Sequence, residues 1–353
     1  MKLLLLLLAI LLLSLLAPAQ QAELTALLGQ QNVPGLQLVH TKRGKATTYT
    51  AGRLRQDSAA AVTAETVFQA ASLGKVVLAY LTLRLHDQGR LDLDQPLLRY
   101  APYLRVQGQP RAARVTARMV LTHTTGLPNW ADNPLGPTWA ASPLVFRFAP
   151  DSCWNYSGEG FVWLQHTLEQ LTGEPLETLA QREVFGPLKM RRSSFRWQPR
   201  FSANAATGHD KAGQPTQVRR FAEPYAAYSL LATAPDYNRF LQALRTGRGL
   251  KPTTAQLLRL AANEANRCGR PTAPTDPFVA WAVGVGVART SAGSTLWHWG
   301  DNGDFQGFFM VLPNRRESLL FFTNSANGLL LTDELLRLFI GPGEYRASQW
   351  LAE

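Results

Sequence analysis

Residues 72–89, SLGKVVLAYLTLRLHDQG, contain a helical pattern and a pair of reactive side chains in one short stretch. Apolar residues recur at helical spacing from Val76 to Leu83, and Gly89 follows where helices often end in a left-handed residue. Ser72 precedes Lys75 by three positions, so a helix directs both side chains to one face. A lysine kept neutral by burial can take the hydroxyl proton of a serine. The stretch therefore predicts a buried helix that carries a serine nucleophile.

This spacing is weak on its own, because it also suits a helix-capping serine followed by a surface lysine. Other catalytic motifs are missing from the sequence. The six histidines stand too far apart for a local metal motif, and no Gly-x-Ser-x-Gly segment occurs. The sequence therefore predicts neither a metal site nor an α/β-hydrolase.

Strand patterns near both ends of the chain enclose a middle in which helical periodicity dominates. Strands are predicted at 35–40, 46–51, 280–289, 296–299, 307–312 and 318–324, and further helices at 118–121, 160–171, 176–184 and 333–340. A segment with five prolines, 127–150, is either a lid or a packed collar. We expect an α+β fold, an antiparallel β-sheet flanked by helices with an inserted, mostly helical lobe.

The expected organisation is a leader followed by one catalytic domain. Residues 1–19 combine Lys2, an apolar run too short to span a bilayer and a small-x-small site ending at Ala19, which is typical of a signal peptide. An uncleaved anchor is the alternative. The domain would cover 20–353, with an α/β part at about 20–75 and 200–353 and a helical part at about 76–199. We expect the mature protein to be secreted or periplasmic.

The cysteines and the net charge leave choices open. In an oxidising compartment Cys153 and Cys268 either pair or remain two buried thiols. The formal charge of +11 comes from 36 basic and 25 acidic residues. The basic pairs are scattered without an interleaved aromatic stripe, which disfavours nucleic-acid binding, whereas attraction to anionic envelope polymers stays open.

Four segments follow Ser72 in a specific order. They are Asp87–Asp94, Leu121–Pro128, Tyr156-Ser157-Gly158 and His298-Trp299-Gly300. Taken together, the chain resembles the serine β-lactamase-related family, which includes class C β-lactamases, D-alanyl-D-alanine carboxypeptidases and related esterases. The resemblance covers nearly all of the mature chain.

The resemblance implies a role for each matching residue. Ser72 would be the acylated nucleophile, Lys75 its activating base, and Tyr156 the phenol that relays the proton to the leaving group. The backbone N–H groups of Ser72 and Asp301 would form the oxyanion hole, with Gly300 beside them in the substrate site. No cofactor is implied.

Two positions depart from the family pattern. Gly158, also assigned to the substrate site, stands where many relatives carry an asparagine, and His298 stands where penicillin-binding relatives carry a lysine. A mostly neutral histidine can hydrogen-bond the tyrosine, so we assign His298 to the catalytic set. Both changes weaken recognition of a substrate carboxylate, although we also consider a protonated His298 that acts as a cation. Strand alternation favours packing roles for Trp297 and Trp299.

We therefore expect a secreted serine hydrolase that acts through an acyl-enzyme on an ester, an amide, a small D-amino-acid-containing peptide or a β-lactam-like substrate. Its partner would be a small molecule or short peptide, including cell-wall-derived ones, without nucleic acid and without stable membrane insertion. The alternative is a non-catalytic penicillin-binding-like protein that recognises peptidoglycan fragments. Two nearby residues receive structural predictions, with His123 holding a turn and Glu159 forming a solvated carboxylate at a helix start.

Overall fold

The computed structural model describes residues 20–291 and 293–353, so the predicted signal peptide at 1–19 lies outside the described residues. The described strands are β1 (Gly35–Lys42), β2 (Lys45–Gly52), β3 (Phe68–Ala71), β4 (Leu230–Ala232), β5 (Asn263–Glu264), β6 (Val279–Trp281), β7 (Gly286–Thr290), β8 (Gly293–Asp301), β9 (Gln306–Leu312) and β10 (Glu317–Thr323). The described helices are α1 (20–30), α2 (Gly74–Asp87), α3 (Ala117–Leu121), α4 (Gly158–Thr172), α5 (Leu176–Ala180), α6 (Ala234–Thr246), α7 (Pro252–Leu257), α8 (Thr332–Phe339) and α9 (Arg346–Ala352).

Eight strands form one antiparallel sheet in the order β2-β1-β10-β9-β8-β7-β6-β5, and β3 pairs with β4 separately. The first strand joins the last, with Leu36 opposite Thr323. The two ends of the chain thus complete one sheet, while α2 to α5 come from the sequence between β3 and β4. This architecture confirms the predicted α+β class.

Both faces of the large sheet are covered, because neighbouring residues on a strand point to opposite sides. On β1, Val39 packs in the core that contains α2, whereas Leu38 packs in a second core with α1, α8 and α9. On β10, Leu320 and Phe321 divide in the same way. All of β10 and all of β1 except Lys42 are therefore buried, whereas the edge strand β2 is mostly exposed.

The central helix α2 is buried along almost its whole length, which explains its apolar character on all sides. Its first residue is Gly74, where a Cβ atom would lie 2.5 Å from the carbonyl oxygen of Ala226. Glycine therefore lets the segment at 226–227 pack directly against the start of the helix. This close approach helps to build the site described below.

The predicted single strand at 280–289 is wrong, because the chain turns back and forms β6 and β7. The amide of Ala282 donates to the carbonyl of Val285 at 2.9 Å, and Gly284 has a φ of +96°. A Cβ atom on Gly284 would meet the Cβ of Ala79 at 2.2 Å. The continuous apolar run at 280–289 therefore contains a turn, and this turn packs against α2.

Cys153 and Cys268 are joined in a disulfide, with their Cα atoms 5.4 Å apart. This settles the choice between a pair and two thiols. Closing a loop of 115 residues stabilises the fold by about 4–5 kcal/mol in the chain-entropy account. None of the described helices has the length and apolar character to cross a membrane.

Candidate active site

Ser72 lies between β3 and α2, and Lys75 occupies the first turn of that helix. The Nζ atom of Lys75 lies 2.9 Å from Oγ of Ser72 and donates to the carbonyl oxygen of Ala227 at 2.6 Å. The Lys75 side chain is completely buried, so it is not a surface lysine. The spacing of three residues therefore corresponds to direct contact between the Ser72 hydroxyl and the Lys75 amine.

Burial lowers the pKa of Lys75 from its ordinary 10.5 to about 7, since nothing in a dry interior replaces the hydration of an ammonium ion. The neutral amine is therefore present at pH 7, whereas an exposed lysine would be almost entirely protonated there. A neutral amine beside a serine hydroxyl can accept its proton, which is the arrangement a serine nucleophile requires.

Tyr156 lies beside this pair, with its ring centroid 4.9 Å from Nζ of Lys75. Burial raises the pKa of the Tyr156 phenol, the hydroxyl of Ser72 opposes that shift, and the carboxylate of Asp301 adds to it. Within the described ranges, no group makes a standard hydrogen bond to the Tyr156 hydroxyl oxygen. The phenol therefore keeps its proton near neutral pH.

His298 takes neither of the two roles considered for it. The His298 ring is fully buried and does not line the cleft in front of Ser72. Burial and the nearby charge on Lys75 lower the pKa of His298 to about 3. Its Nδ1 atom contacts the carbonyl oxygen of Trp299 at 2.7 Å, and among described groups Nε2 has no partner. His298 is thus a neutral group, and its ring centroid lies 6.2 Å from that of Tyr156. Among the described residues it makes no hydrogen bond to the Tyr156 phenol.

His123 holds the backbone next to Tyr156. Its Nδ1 atom accepts a hydrogen bond from the Ser157 amide at 3.1 Å, and its ring lies 4.4 Å from the Tyr156 ring. The residue is buried and has a φ of +58°. This agrees with the predicted role of His123 in stabilising a turn, and the stabilising contact is the hydrogen bond to Nδ1.

Gly158 is buried at the start of α4 and does not line the cleft, contrary to its assignment to the substrate site. A Cβ atom there would lie 2.5 Å from the indole ring of Trp130. The Gly158 amide instead donates to the side-chain oxygen of Asn129 at 3.0 Å. The volume that an asparagine side chain would need is filled by Trp130.

Gly300 also serves packing, since a Cβ atom would approach the carbonyl oxygen of Ala70 to 2.4 Å. Glycine thereby allows the end of β8 to lie against β3, just before Ser72. The next residue, Asp301, lines the cleft, and its carboxylate accepts hydrogen bonds from the Gly303 amide and from Gln306. The assignment of backbone N–H groups to an oxyanion hole stays a prediction.

The cleft in front of Ser72 has a volume of about 390 Å³ and is rich in aromatic side chains. It is lined by Ser72, Asn129, Trp130, Asn133, Pro134, Leu135, Tyr156, Arg219, Phe221, Tyr228, Trp299, Asp301 and Asn302. Trp299 was expected to serve packing alone, yet it borders the cleft, whereas Trp297 is fully buried. Five of these residues belong to the proline-rich segment, which forms one wall.

Glu159 fastens that wall and is not the solvated carboxylate that its position suggested. It is completely buried and forms a two-point ion pair with Arg105, with N–O distances of 2.7 and 3.1 Å. It also accepts hydrogen bonds from the indole nitrogen of Trp139 and the amide of Ala131. The segment at 127–150 is therefore a packed collar anchored to α4.

The sequence did not single out several groups that now border Ser72. The carbonyl of Ala227 carries no side-chain signal. Arg219, Phe221 and Tyr228 lie 147 to 156 residues downstream of Ser72 and belong to no motif. Arg219 pairs with Asp304 at 2.9 Å and donates to the carbonyl of Asn302, which fixes it in the cleft. Pairing of β3 with β4 and the contact of Lys75 with the Ala227 carbonyl bring this region to the nucleophile.

A buried serine–lysine pair, an adjacent tyrosine and an antiparallel sheet with a helical insert define a serine hydrolase. The chain belongs to the β-lactamase family, whose model matches residues 21–338. It is 26% identical to penicillin-binding protein 4 of Amycolatopsis lactamdurans over 91% of this chain and 88% of that protein. It is 30% identical to esterase EstB of Burkholderia gladioli over 54% of this chain and 60% of the esterase.

The fold is also similar to solved structures. The β-lactamase/D-alanine carboxypeptidase from Pseudomonas syringae superposes with a TM-score of 0.77 at 15% identity, over 93% of this chain and 99% of that structure. At this identity the likeness concerns the fold. It agrees with the large sheet and the inserted helices described above.

Proposed function

We propose that the protein hydrolyses an ester or amide of a small molecule or short peptide through an acyl-enzyme on Ser72. The observation that carries this proposal is the 2.9 Å contact between Oγ of Ser72 and a completely buried Lys75 amine. Oγ attacks the substrate carbonyl carbon while its proton passes to Nζ of Lys75. The tetrahedral oxyanion is stabilised by the backbone N–H groups of Ser72 and Asp301.

Tyr156 acts as the proton donor to the leaving group in this scheme. Its phenol keeps its proton because burial raises its pKa, and it lies next to the Lys75 amine that receives the serine proton. Loss of the leaving group breaks the ester or amide bond and leaves the acyl group on Ser72. Lys75 then passes the serine proton to the Tyr156 phenolate, which restores both groups. Water attacks the acyl-enzyme and gives a proton to the neutral Lys75 amine, and this proton returns to Oγ of Ser72 as the bond between Oγ and the acyl carbon breaks and the acid is released.

Esters and amides without a carboxylate next to β8 are the preferred class. Penicillin-binding protein and β-lactamase relatives make D-amino-acid peptides and β-lactams the natural comparison. Here His298 is buried with its pKa lowered to about 3, so it supplies no cation at that strand. Trp130 fills the volume beside Gly158, and aromatic walls favour an apolar acyl group.

A fluorophosphonate probe and intact-mass measurement test the nucleophile. We expect one adduct on the wild-type protein, none on Ser72→Ala, and an unchanged adduct on the matched control Ser202→Ala at an exposed position. An adduct on another residue would refute the assignment. Chromogenic esters, a chromogenic cephalosporin and D-alanyl peptides then rank the substrates, and a stable adduct with no turnover of any of them would favour the binding alternative.

The proposal includes a secreted or periplasmic location with the leader removed near Ala19. The disulfide between Cys153 and Cys268 supports it, since such bonds persist in oxidising compartments. N-terminal sequencing of the mature protein from its native cell fraction tests this part. A retained Met1 or recovery from the cytoplasm would contradict it.

A further inference from the structure

Cationic side chains gather at one end of the large sheet, and we call this cluster the basic end. It combines the β1–β2 turn, the β9–β10 turn and residues at or just after the ends of α6 and α7. Its members are Lys42, Arg43, Lys45, Arg245, Arg259 and Arg316. Five of these side chains belong to exposed residues, and Arg245 is partly buried.

The two turns of the basic end lie side by side. Lys42 and Lys45 are paired residues at the end of the β1–β2 hairpin. A Cβ atom on Gly44, which lies between them, would be 3.6 Å from Nη2 of Arg316 in the β9–β10 turn. The guanidinium of Arg316 therefore lies against the hairpin turn that carries three of the other cations.

The end of α6 brings further positive charge to the same place. The side chain of Gln242 donates to Oγ of Ser318 on β10 at 3.3 Å, and Nε of Arg245 donates to the side-chain oxygen of Gln242 at 3.1 Å. Burial and the neighbouring charges of Arg316 and Arg259 lower the pKa of Arg245. Three guanidinium groups of like charge therefore repel one another at this end of the fold.

No carboxylate of the described chain offsets this repulsion through an ion pair. In residues 20–291 and 293–353, none of the six cations of the basic end lies within ion-pair distance of an aspartate or a glutamate. The adjacent Arg315 is paired with Glu317 at 2.6 Å, so that pair adds no net charge. Positive charges held together in this way attract an anionic partner.

The basic end and the cleft lie at opposite ends of the sheet. β10 begins at Glu317, directly after Arg316, and ends at Thr323. Thr323 pairs with Gln306, whose side chain donates to the cleft residue Asp301 at 3.0 Å. At about 3.3 Å per residue, the seven residues of β10 place its two ends about 20 Å apart. A partner bound at the basic end therefore leaves the cleft open to substrate.

We propose that the basic end docks the protein onto the surface of an anionic phospholipid membrane. Lysine and arginine side chains close to such a surface are attracted to its negative charge. Because the cations come from two turns and two helix ends, they suit a broad charged surface. Leu260, which follows Arg259 and is 61% exposed, adds an apolar side chain that suits the boundary between headgroups and acyl chains. This docking is peripheral and inserts no helix.

Cosedimentation of the mature protein with lipid vesicles tests the docking. Vesicles that contain about one-third phosphatidylglycerol are compared with vesicles of pure phosphatidylcholine, at low and at high salt. We expect binding to the anionic vesicles at low salt and its loss at high salt, because salt screens the attraction between exposed charges. Equal binding to both kinds of vesicle would overturn the proposal.

A charge-matched pair of variants locates the binding surface. The test variant is Arg43→Gln/Arg316→Gln, at two exposed turn positions of the basic end. We expect its partition coefficient for anionic vesicles to fall about thirtyfold. The control, Arg111→Gln/Arg114→Gln, removes the same charge at exposed positions elsewhere and should bind like the wild type. An equal loss in both variants would mean that net charge alone drives binding, and the basic end would be refuted.

Further variants identify the partner. Leu260→Ser should weaken binding to anionic vesicles about fivefold without weakening binding to soluble polyphosphate. Tighter binding to polyphosphate than to vesicles at equal phosphate concentration would overturn the membrane assignment in favour of an anionic polymer. Ser72→Ala should bind the vesicles as tightly as the wild type, whether or not any ester is hydrolysed. A loss of vesicle binding in Ser72→Ala would place the contact at the cleft and contradict the proposal.

Discussion

Replacing Lys75 with methionine tests the neutral amine through protein stability, because methionine fills a similar buried volume without a charge. The folded protein holds the pKa of Lys75 at about 7, against an ordinary 10.5 in the unfolded chain. Between these values the unfolded chain binds a proton that the folded protein does not. The free-energy cost of burying Lys75 is therefore absent above pH 10.5. It grows as the pH falls towards 7 and stays at its largest value below that.

The size of the effect follows from the two pKa values. Each unit is worth about 1.4 kcal/mol, so the buried amine costs about 4 kcal/mol at pH 7 and about 2 kcal/mol at pH 9. Methionine removes this cost but leaves the Ala227 carbonyl without its donor at 2.6 Å, a loss of about 1–2 kcal/mol. We expect Lys75→Met to be more stable than wild type by about 2–3 kcal/mol at pH 7 and nearly equal to it at pH 9.

Urea unfolding at pH 7, 8 and 9 with the disulfide intact measures these differences. Lys45→Met, at an exposed position on β2, is the matched lysine-to-methionine control. A stability difference for Lys75→Met that stays the same from pH 7 to pH 9 would refute the reasoning. In the same proteins, kcat/KM of the wild type should rise about tenfold per pH unit below 7 and level off above it, whereas Lys75→Met should lose hydrolysis.

Three further variants, one of them with a matched control, probe the surroundings of the site by urea unfolding. Gly158→Ala should destabilise by about 1–3 kcal/mol because its Cβ meets an indole ring at 2.5 Å, whereas Gly160→Ala, whose Cβ finds nothing nearer than 3.4 Å, should be tolerated; equal effects would contradict this packing. Glu159→Gln leaves a buried guanidinium unpaired and should cost about 3–5 kcal/mol, and a loss below 1 kcal/mol would argue against the anchored collar. Replacing Cys153 and Cys268 together by alanine should cost about 4–5 kcal/mol, and no change would mean that the bond does not constrain the unfolded chain.

The sequence predicts the chemical pair well because Ser72 lies two residues before α2 and Lys75 lies in the first turn of that helix. Local spacing fixes their geometry once α2 forms, and the strict apolar pattern makes α2 easy to place. The hairpin of β1 and β2 is predictable for the same reason, since its turn residues and alternation lie within one segment. Features encoded in a single stretch were therefore accessible.

Features that depend on distant contacts were not. Gly158 is explained by Trp130, which lies 28 positions earlier, and Glu159 is neutralised by Arg105, 54 positions earlier. No sequence pattern around Gly158 or Glu159 predicts contact with Trp130 or Arg105. The role of His298 was misjudged because its burial depends on the way β8 packs, and pairing of β3 with β4 spans more than 150 residues.

The position of β10 between β1 and β9 has a consequence for synthesis of the protein. The initial hairpin leaves the ribosome early, but the strand that covers its open edge is encoded only at Glu317–Thr323. Until then β1 presents unpaired backbone groups, which favour association with other chains. A premature stop shortly before Glu317 would leave two open edges in the middle of the sheet and yield aggregates, even though Ser72, Lys75 and Tyr156 had all been translated.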